Sequence, residues 1–244
     1  MDLKKLLFLL VVLAANVVQG ITGFAGTVLA MPPAVQLVGM QTARPILNAL
    51  GLVSVLCVTV TSYRKVNLKE LIKAAAVMTA GLFAGVCFKD LVSSHDRIMH
   101  LLLGVIVSLV GVVELIRVFL PKKKEHRHNG IVSGAILVAA GMIHGLFVCG
   151  GPLLVIYLQE RLKDKDEFRA TISSVWVILN SILLFDDIRL GNWGTETLQL
   201  FTVAVFVLGA AMLVGGYLYK KMKKETFMKV TYELLIVSGA LMFI

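Results

Sequence analysis

The chain has 244 residues, of which 58% are hydrophobic and 16% are charged, and its mean hydropathy is +0.87. Soluble domains carry about 45–50% apolar and about 25% charged residues. Here the apolar residues form blocks of about 20 that short charged stretches separate, as in helices that span a lipid bilayer. This composition excludes a soluble enzyme, a nucleic-acid-binding domain and a disordered chain. The net charge is +9, and in a membrane protein the positions of Lys and Arg indicate which loops face the cytoplasm. We therefore expect a multi-pass protein of the cell membrane in contact with lipid.

The predicted elements follow the apolar runs and the charge breaks. The first, 3–38, is a long apolar stretch that Gly20, Gly23, Gly26 and Pro32-Pro33 interrupt. Three helices are predicted after it, a basic linker divides the chain near its middle, and the same order then recurs. The ranges are 45–63, 68–92 and 97–120 for the first three helices, 121–129 for the linker, 130–160 for the second interrupted stretch, and 170–187, 196–219 and 226–244 for the last three helices.

The two halves of the chain match residue by residue at a constant offset of 125. Matches between apolar residues are common by chance in membrane proteins, so only the glycine, arginine and asparagine matches indicate a repeat. These pairs are Gly20 with Gly145, Gly26 with Gly151, Arg44 with Arg169, Arg64 with Arg189 and Asn67 with Asn192. They predict an internal duplication, with a first repeat at 1–120, the linker at 121–129 and a second repeat at 130–244.

The distribution of cations predicts how the repeats are oriented. If each interrupted stretch crosses the membrane once, Lys and Arg number 12 on each side. If each stretch instead forms a hairpin, either re-entrant or of two short crossings, the repeats are inverted. Lys and Arg then number 18 on one side of the membrane and six on the other, and the 18 lie in 64–73, 117–127, 161–169 and 220–229. Cytoplasmic loops are rich in cations, which favours the second arrangement. We therefore predict an all-α integral membrane protein of two inverted repeats, each a broken helical hairpin plus three transmembrane helices, with the linker in the cytoplasm and both termini outside.

The two glycine-rich breaks are the predicted binding site. Matched, interrupted helices in two inverted halves indicate the central site of a transporter. Each break starts a new helix, whose free N–H groups and partial positive charge suit an anion, and Pro152 suits a first helical turn. The alternative is that the glycines only let helices pack closely. The candidate residues of the breaks are Gln19, Gly20, Thr22, Gly23, Gly26 and Thr27 in the first, and His144, Gly145, Cys149, Gly150 and Gly151 in the second.

These two stretches, Gly20-Ile-Thr-Gly-Phe-Ala-Gly-Thr-Val-Leu-Ala-Met-Pro and His144-Gly-Leu-Phe-Val-Cys-Gly-Gly-Pro-Leu-Leu-Val-Ile-Tyr, resemble those of the TauE/SafE family of sulfite exporters. The resemblance covers nearly the whole chain, including the run from Tyr63 to Asn67. It implies transport of sulfite or organosulfonates. The first motif departs from the glycine pairs of the family by reading Phe24-Ala25-Gly26, and the second carries Cys149 before its glycine pair.

Two arginines at matched positions follow the breaks. The planar guanidinium group suits a sulfite or sulfonate oxyanion, so Arg44 and Arg169 are candidates for substrate binding. Alternatively, each lies at a helix end and reaches to lipid headgroups. Arg169 follows a charged, loop-like run, whereas Arg44 is nearly alone in its loop.

Further polar residues lie in or after the breaks. His144 is a candidate for proton transfer or for donating to an anion, against a neutral histidine bonded to backbone. Cys149 is a candidate contact for a sulfur ligand, or simply a small packing residue. Asn48 and Ser173, equivalent at the repeat offset, either bind the anion or join helices, as do Ser174 and Asn180.

The sequence and the resemblance together predict a secondary transporter, expected to export small sulfur-containing anions by alternating access, without a metal, a cofactor or nucleic acid. No Gly-x-x-x-x-Gly-Lys-Ser/Thr run that would bind ATP is present. Coupling to a proton or a sodium ion, and a homodimer, are left open. The alternatives are an exporter of another metabolite or an amino acid, an intramembrane enzyme, and a structural subunit; the scattered histidines argue against the enzyme.

Overall fold

A computed structural model describes residues 2–22, 25–92, 96–119 and 129–221, together with residue 236. The described residues form α-helices, one short 3-10 turn at Tyr63–Lys65 and connecting loops, with no β-strand. The helices are α1 (Leu3–Thr22), α2 (Gly26–Val38), α3 (Met40–Ser62), α4 (Leu68–Val92), α5 (Asp96–Phe119), α6 (Gly130–Phe147), α7 (Gly151–Gln159), α8 (Lys165–Arg189) and α9 (Thr195–Lys221).

Six helices of the described part, α1, α3, α4, α6, α8 and α9, are long and apolar enough to cross a membrane. The protein is thus an all-helical, multi-pass membrane protein, as its composition predicts. The predicted helices correspond closely to α3, α4, α5, α8 and α9, with ends that differ by up to five residues. The linker at 121–128 and nearly all of the predicted last helix at 226–244 lie outside the described residues.

Both interrupted stretches are pairs of helices, and each pair has one long and one short member. The first pair is divided between Thr22 and Gly26, and the second between Phe147 and Gly151. The short members α2 and α7 have 13 and 9 residues, or roughly 20 and 14 Å at about 1.5 Å per residue, less than the thickness of the bilayer core of about 30 Å. The predicted interruption at Pro32-Pro33 is wrong, because α2 continues through both prolines and ends at Val38.

Helix α2 folds back along α1. The start of α2 contacts the end of α1 at Gln19, while Pro33 and Leu37 line a groove with Leu7 and Leu10 from the first half of α1. The two helices are therefore antiparallel. At the second break, Val148 adopts a left-handed conformation (φ 57°) and its N–H donates to His144 O, which ends α6.

Close packing at glycines joins the two halves of the chain. A Cβ atom at Gly81 or Gly85 of α4 would lie 2.2 Å from a backbone oxygen of α6, and one at Gly141 or Gly145 of α6 would lie 2.1 or 2.4 Å from a backbone oxygen of α4. Residue numbers rise together along this interface, so α4 and α6 are parallel. Helices α1 and α9 are parallel too, since Lys5 pairs with Glu196 and Gly20 contacts Gly215.

Helices α3 and α8 pack at the centre of the molecule and are antiparallel. Arg44 near the start of α3 contacts Asp187 near the end of α8, and Asn48 contacts Asn180 one to two turns further inside. Both helices carry long series of buried residues. Together they form the core against which the two broken helices are placed.

Candidate functional site

A small cavity lies where the two broken helices meet α3 and α8. Its volume is about 20 Å³, which holds roughly one water molecule. The first break contributes Gln19 and Thr27, and the second contributes His144 and Gly151, so residues of both repeats line one space. The remaining lining residues are Val28, Gly51, Val55, Val148, Trp176 and Asn180.

At the first break, the side chain of Gln19 fixes the start of α2. The N–H of Gly26 donates to Gln19 Oε1 at 2.8 Å, so a side chain of α1 accepts one of the N–H groups that a helix start leaves unpaired. A Cβ atom at position 26 would lie 2.6 Å from Gln19 Cβ and 2.9 Å from Ala15 O. Only glycine allows this approach.

At the second break, His144 of α6 is held by two residues of α8. Its Nε2 lies 2.9 Å from Asn180 Oδ1, and its ring is 4.7 Å from that of Trp176 between centroids. Asn48 of α3 donates to the backbone oxygen of Asn180 at 3.1 Å. The predicted residues His144, Asn48 and Asn180 are therefore brought together by α3, α6 and α8.

Several polar atoms in this region have no hydrogen-bond partner among the described residues. His144 Nδ1 and Trp176 Nε1 belong to residues that line the cavity, and Asn48 Oδ1 and Ser173 Oγ lie on the same two central helices. All four side chains are buried. Buried polar atoms are nearly always hydrogen-bonded, because an unsatisfied group costs about 1–3 kcal/mol. A polar ligand or a water molecule in the cavity would supply the partners that the protein does not.

The two predicted arginines bind backbone at the opposite break. Arg44 donates to Gly145 O and Arg169 donates to Gly20 O, both at 3.1 Å. The donors are equivalent at the offset of 125, and so are the acceptors. Each arginine thus holds the end of the broken helix of the other repeat, and neither lines the cavity.

Arg44 also forms an ion pair with Asp187 that is almost fully buried, with 3% and 0% of the two side chains exposed. Asn192 Nδ2 donates to the same carboxylate at 3.1 Å. Asp187 is not among the residues that the sequence pattern indicates. Its position at the end of a membrane span was a signal, but 143 residues separate it from Arg44, and no local pattern pairs them.

A second buried charged cluster lies on the opposite side of the cavity. Tyr157 at the end of α7 donates to Glu70 of α4 at 2.7 Å, Arg161 lies 3.7 Å from the same carboxylate, and Arg161 donates to Ser133 of α6 at 2.8 Å. The guanidinium carbon of Arg161 is 3.8 Å from the centre of the Tyr157 ring. In the sequence, Arg161 stands out only as one of the cations that indicate orientation, and no local pattern joins it to Glu70.

The other candidates have more local roles or are not described. Cys149 is buried and its Sγ donates to Phe147 O at 3.0 Å, while Ser174 donates to Ala170 O within α8. Gly150 is required by space, since a Cβ atom there would lie 2.2 Å from Ala140 O. Thr22 ends α1, but its side chain and all of Gly23 lie outside the described residues. No group of three His, Cys, Asp or Glu residues in the described ranges could hold a metal ion.

The helices and the cavity define a multi-pass membrane protein with a central polar site between two broken helices, an architecture common among transporters. The chain belongs to the Sulfite exporter TauE/SafE family, whose family model matches residues 7–242. It is 27% identical over 123 residues to the probable inner membrane transporter protein TsaS of Comamonas testosteroni. That match covers 49% of this chain and 47% of the relative, so the chain spans about half the length of the relative it matches. No solved structure matches the chain.

The family is described by the name of a sulfite exporter, and the relative by that of a probable inner membrane transporter. They also agree with the location in the cell membrane that the apolar helices require.

Proposed function

We propose that the protein is a secondary transporter that exports small sulfur-containing anions, such as sulfite or organosulfonates, by alternating access around the central cavity. The observation that carries the proposal is the convergence of both broken helices on one buried cavity whose lining includes polar atoms without protein partners. The membership of the family supplies the substrate class.

The packing of the helices supports two inverted repeats, 1–120 and 130–244, as the basis of this mechanism. At the offset of 125, α1 corresponds to α6, α3 to α8 and α4 to α9. The α4–α6 interface then corresponds to the α9–α1 interface, and both are parallel. Since α3 and its counterpart α8 are antiparallel, the repeats would face opposite sides of the membrane. This is the relation that lets two halves exchange conformations.

The cavity lining suits an oxyanion. Gly151 at the start of α7 lines the cavity, and Thr27 in the first turn of α2 does so too. Helix starts carry free N–H groups and a partial positive charge. The indole N–H of Trp176 can only donate, and it has no partner among the described residues. An anion between the two helix starts would accept from both and from this indole.

The size of the cavity supports a mechanism in which the site must open. A volume of about 20 Å³ holds roughly one water molecule, whereas sulfite has four heavy atoms. The buried clusters of Arg44 with Asp187 and of Glu70 with Arg161 lie on opposite sides of the cavity along α3 and α8. We propose that each closes one side.

Flux measurements in proteoliposomes of known orientation test the proposal. Purified protein should move labelled sulfite or a taurine-like sulfonate, and Trp176→Phe should raise the half-saturating concentration because it removes one N–H donor to the anion. Loss of a hydrogen bond to a charged group costs about 1.5–3 kcal/mol, or roughly a 10- to 150-fold loss of affinity. Trp193→Phe is the matched control, since Trp193 packs on Phe201 away from the cavity lining.

Transport of amino acids without transport of any sulfur anion would contradict the proposed substrate class. An equal effect of the two tryptophan substitutions would contradict the proposed position of the anion.

A further inference from the structure

The buried cations near the cavity are already engaged by the protein. Arg44 pairs with Asp187 and donates to Gly145 O, and Arg169 donates to Gly20 O. No lysine or arginine is among the residues that line the cavity in the described part of the chain. An anion in this space would therefore be buried without a full positive charge beside it. Burying a charge that only partial charges and neutral donors offset is unfavourable, so a full positive charge beside the anion would stabilise it further.

Among the described residues that line the cavity, only His144 has a side chain that gains or loses a proton near neutral pH. One ring nitrogen, Nε2, contacts Asn180 Oδ1 at 2.9 Å. The amide nitrogen of Asn180 faces Gly51 and lies 3.4 Å from the position that a Cβ atom on Gly51 would take. The amide oxygen of Asn180 therefore faces the histidine. Because Oδ1 can only accept, Nε2 carries a proton and donates. The other nitrogen, Nδ1, is buried, has no partner among the described residues, and is the position that a second proton would occupy.

Among the described residues packed around His144, no carboxylate contacts the ring. Helix α8 supplies Trp176 and Asn180, and α1 supplies the neutral Gln19. Helix α4 supplies backbone at Met78 and Leu82 to the glycines on either side of His144. Helix α7 supplies Gly151 to the cavity, and α3 supplies Arg44, whose charge Asp187 of α8 balances. None of these described groups offers Nδ1 an acceptor for a second proton, whereas an anion in the cavity would favour the protonated imidazole.

We propose that each anion crosses the membrane together with one proton, and that His144 Nδ1 holds this proton beside the anion. The proposal rests on the proposed function and names its coupling ion. The proton comes from the solution on the side where the anion enters and is released to the solution on the other side. The bound imidazolium supplies the missing counter-charge. One monovalent anion and one proton carry no net charge, so transport is electroneutral, and a divalent anion is disfavoured.

Binding of the proton and binding of the anion then favour each other to the same extent. As long as the imidazole is neutral without the anion, binding takes up one proton per anion. The half-saturating concentration of a monovalent anion should therefore fall about tenfold for each unit by which the pH is lowered.

The experiment uses the full chain in proteoliposomes with methanesulfonate as the probe. A sulfonate stays ionised between about pH 6 and about pH 8, the range in which histidine titrates, so any coupled proton must be held by the protein. A pH-sensitive dye inside the vesicles reports proton movement, and imposed potentials test electroneutrality. We expect one proton to move with each anion, and the flux should respond to a pH gradient and not to the potential. The half-saturating concentration of methanesulfonate should fall about tenfold for each unit by which the pH is lowered.

His144→Gln keeps an amide that can donate to Asn180 and removes the site for the proton. In this variant, we expect binding of methanesulfonate that is weaker and independent of pH, and any remaining flux should generate a potential. His100→Gln is the matched control, because it lies on α5, which contributes none of the described residues of the cavity lining; it should behave as the unmodified protein.

Two results would overturn the inference: methanesulfonate flux without proton movement in the unmodified protein, or unchanged proton coupling in His144→Gln. Absence of flux for every sulfur anion in the unmodified protein would instead overturn the proposed function, and this inference with it. Binding that depends on pH in the unmodified protein and not in His144→Gln would support the inference even where flux is slow.

Discussion

Arg44 and Asp187 form a charge pair that is almost entirely removed from solvent, in the middle of a membrane protein. Burial of two charges is unfavourable unless good geometry and further hydrogen bonds accompany it. Here Gly145 O and Asn192 supply those bonds. Because Arg44 also holds the end of α6 beside the cavity, its first role is to position the second break. Residues at the site are thus held by charges that do not touch the cavity.

The removal of one member of this pair should therefore destabilise the protein. Arg44→Gln leaves Asp187 as a buried charge without its arginine, which typically costs about 3–5 kcal/mol. We expect a marked fall in the thermal unfolding midpoint of the purified protein, and partial recovery when Asp187→Asn is added. Thermal unfolding in detergent measures both.

Arg189→Gln provides the matched control. Arg189 pairs with Asp186 on the same helix, but 62% of its side chain is exposed, and exposed pairs contribute only about 0–1 kcal/mol. If Arg44→Gln were no more harmful than Arg189→Gln, the buried pair would not be what holds the second break.

At the scale of elements, the sequence predicts α3, α4, α5, α8 and α9 to within five residues at each end, because each needs a continuous apolar run to cross the bilayer. It also locates both breaks. It places one interruption wrongly at Pro32-Pro33, since a short helix can contain prolines where missing donors are tolerated. It does not identify Trp176 as a cavity residue, because an aromatic residue in an apolar span gives no sign of which face it occupies.

The glycine at the start of α2 allows a direct test of the first break. Gly26→Leu would place side-chain atoms where Gln19 Cβ and Ala15 O already lie, within 2.6 and 2.9 Å of the Cβ position. We expect loss of transport while the protein remains in the membrane, because the start of α2 could no longer approach Gln19 of α1. Flux in proteoliposomes and the amount of inserted protein are the two measurements.

Gly134→Leu on α6 is the control for bulk, because nothing lies within 4 Å of its Cβ position. It should transport normally. Normal flux in Gly26→Leu would mean that the first break does not depend on this close approach.

At the scale of the whole molecule, α3 and α8 pass the cavity and end at different charged clusters. Gly51 and Val55 of α3 line the cavity, Arg44 precedes them, and Glu70 follows in the first turn of α4. Along α8, Trp176 and Asn180 line the cavity, Asp187 follows them, and Arg161 precedes the helix. The two clusters therefore lie on opposite sides of the cavity, and the predicted orientation puts Arg44 outside and Glu70 in the cytoplasm.

If each cluster closes its own side, weakening one should expose the cavity to that side alone. The test uses Thr27→Cys in a chain whose Cys57, Cys87 and Cys149 are replaced by alanine. Labelling of this cysteine by a membrane-impermeant maleimide is measured in vesicles of known orientation. Asp187→Asn should speed labelling from outside, because the neutral side chain holds Arg44 less strongly. Glu70→Gln should speed labelling from the cytoplasmic side, because the neutral side chain holds Arg161 less strongly.

Lys65→Gln is the matched control. Its pair with Asp166 also joins the two halves but is exposed, at 57% and 43% of the two side chains, and exposed charges are screened by salt. Labelling that rises equally from both sides in either variant would show that the clusters stabilise the fold without gating the cavity.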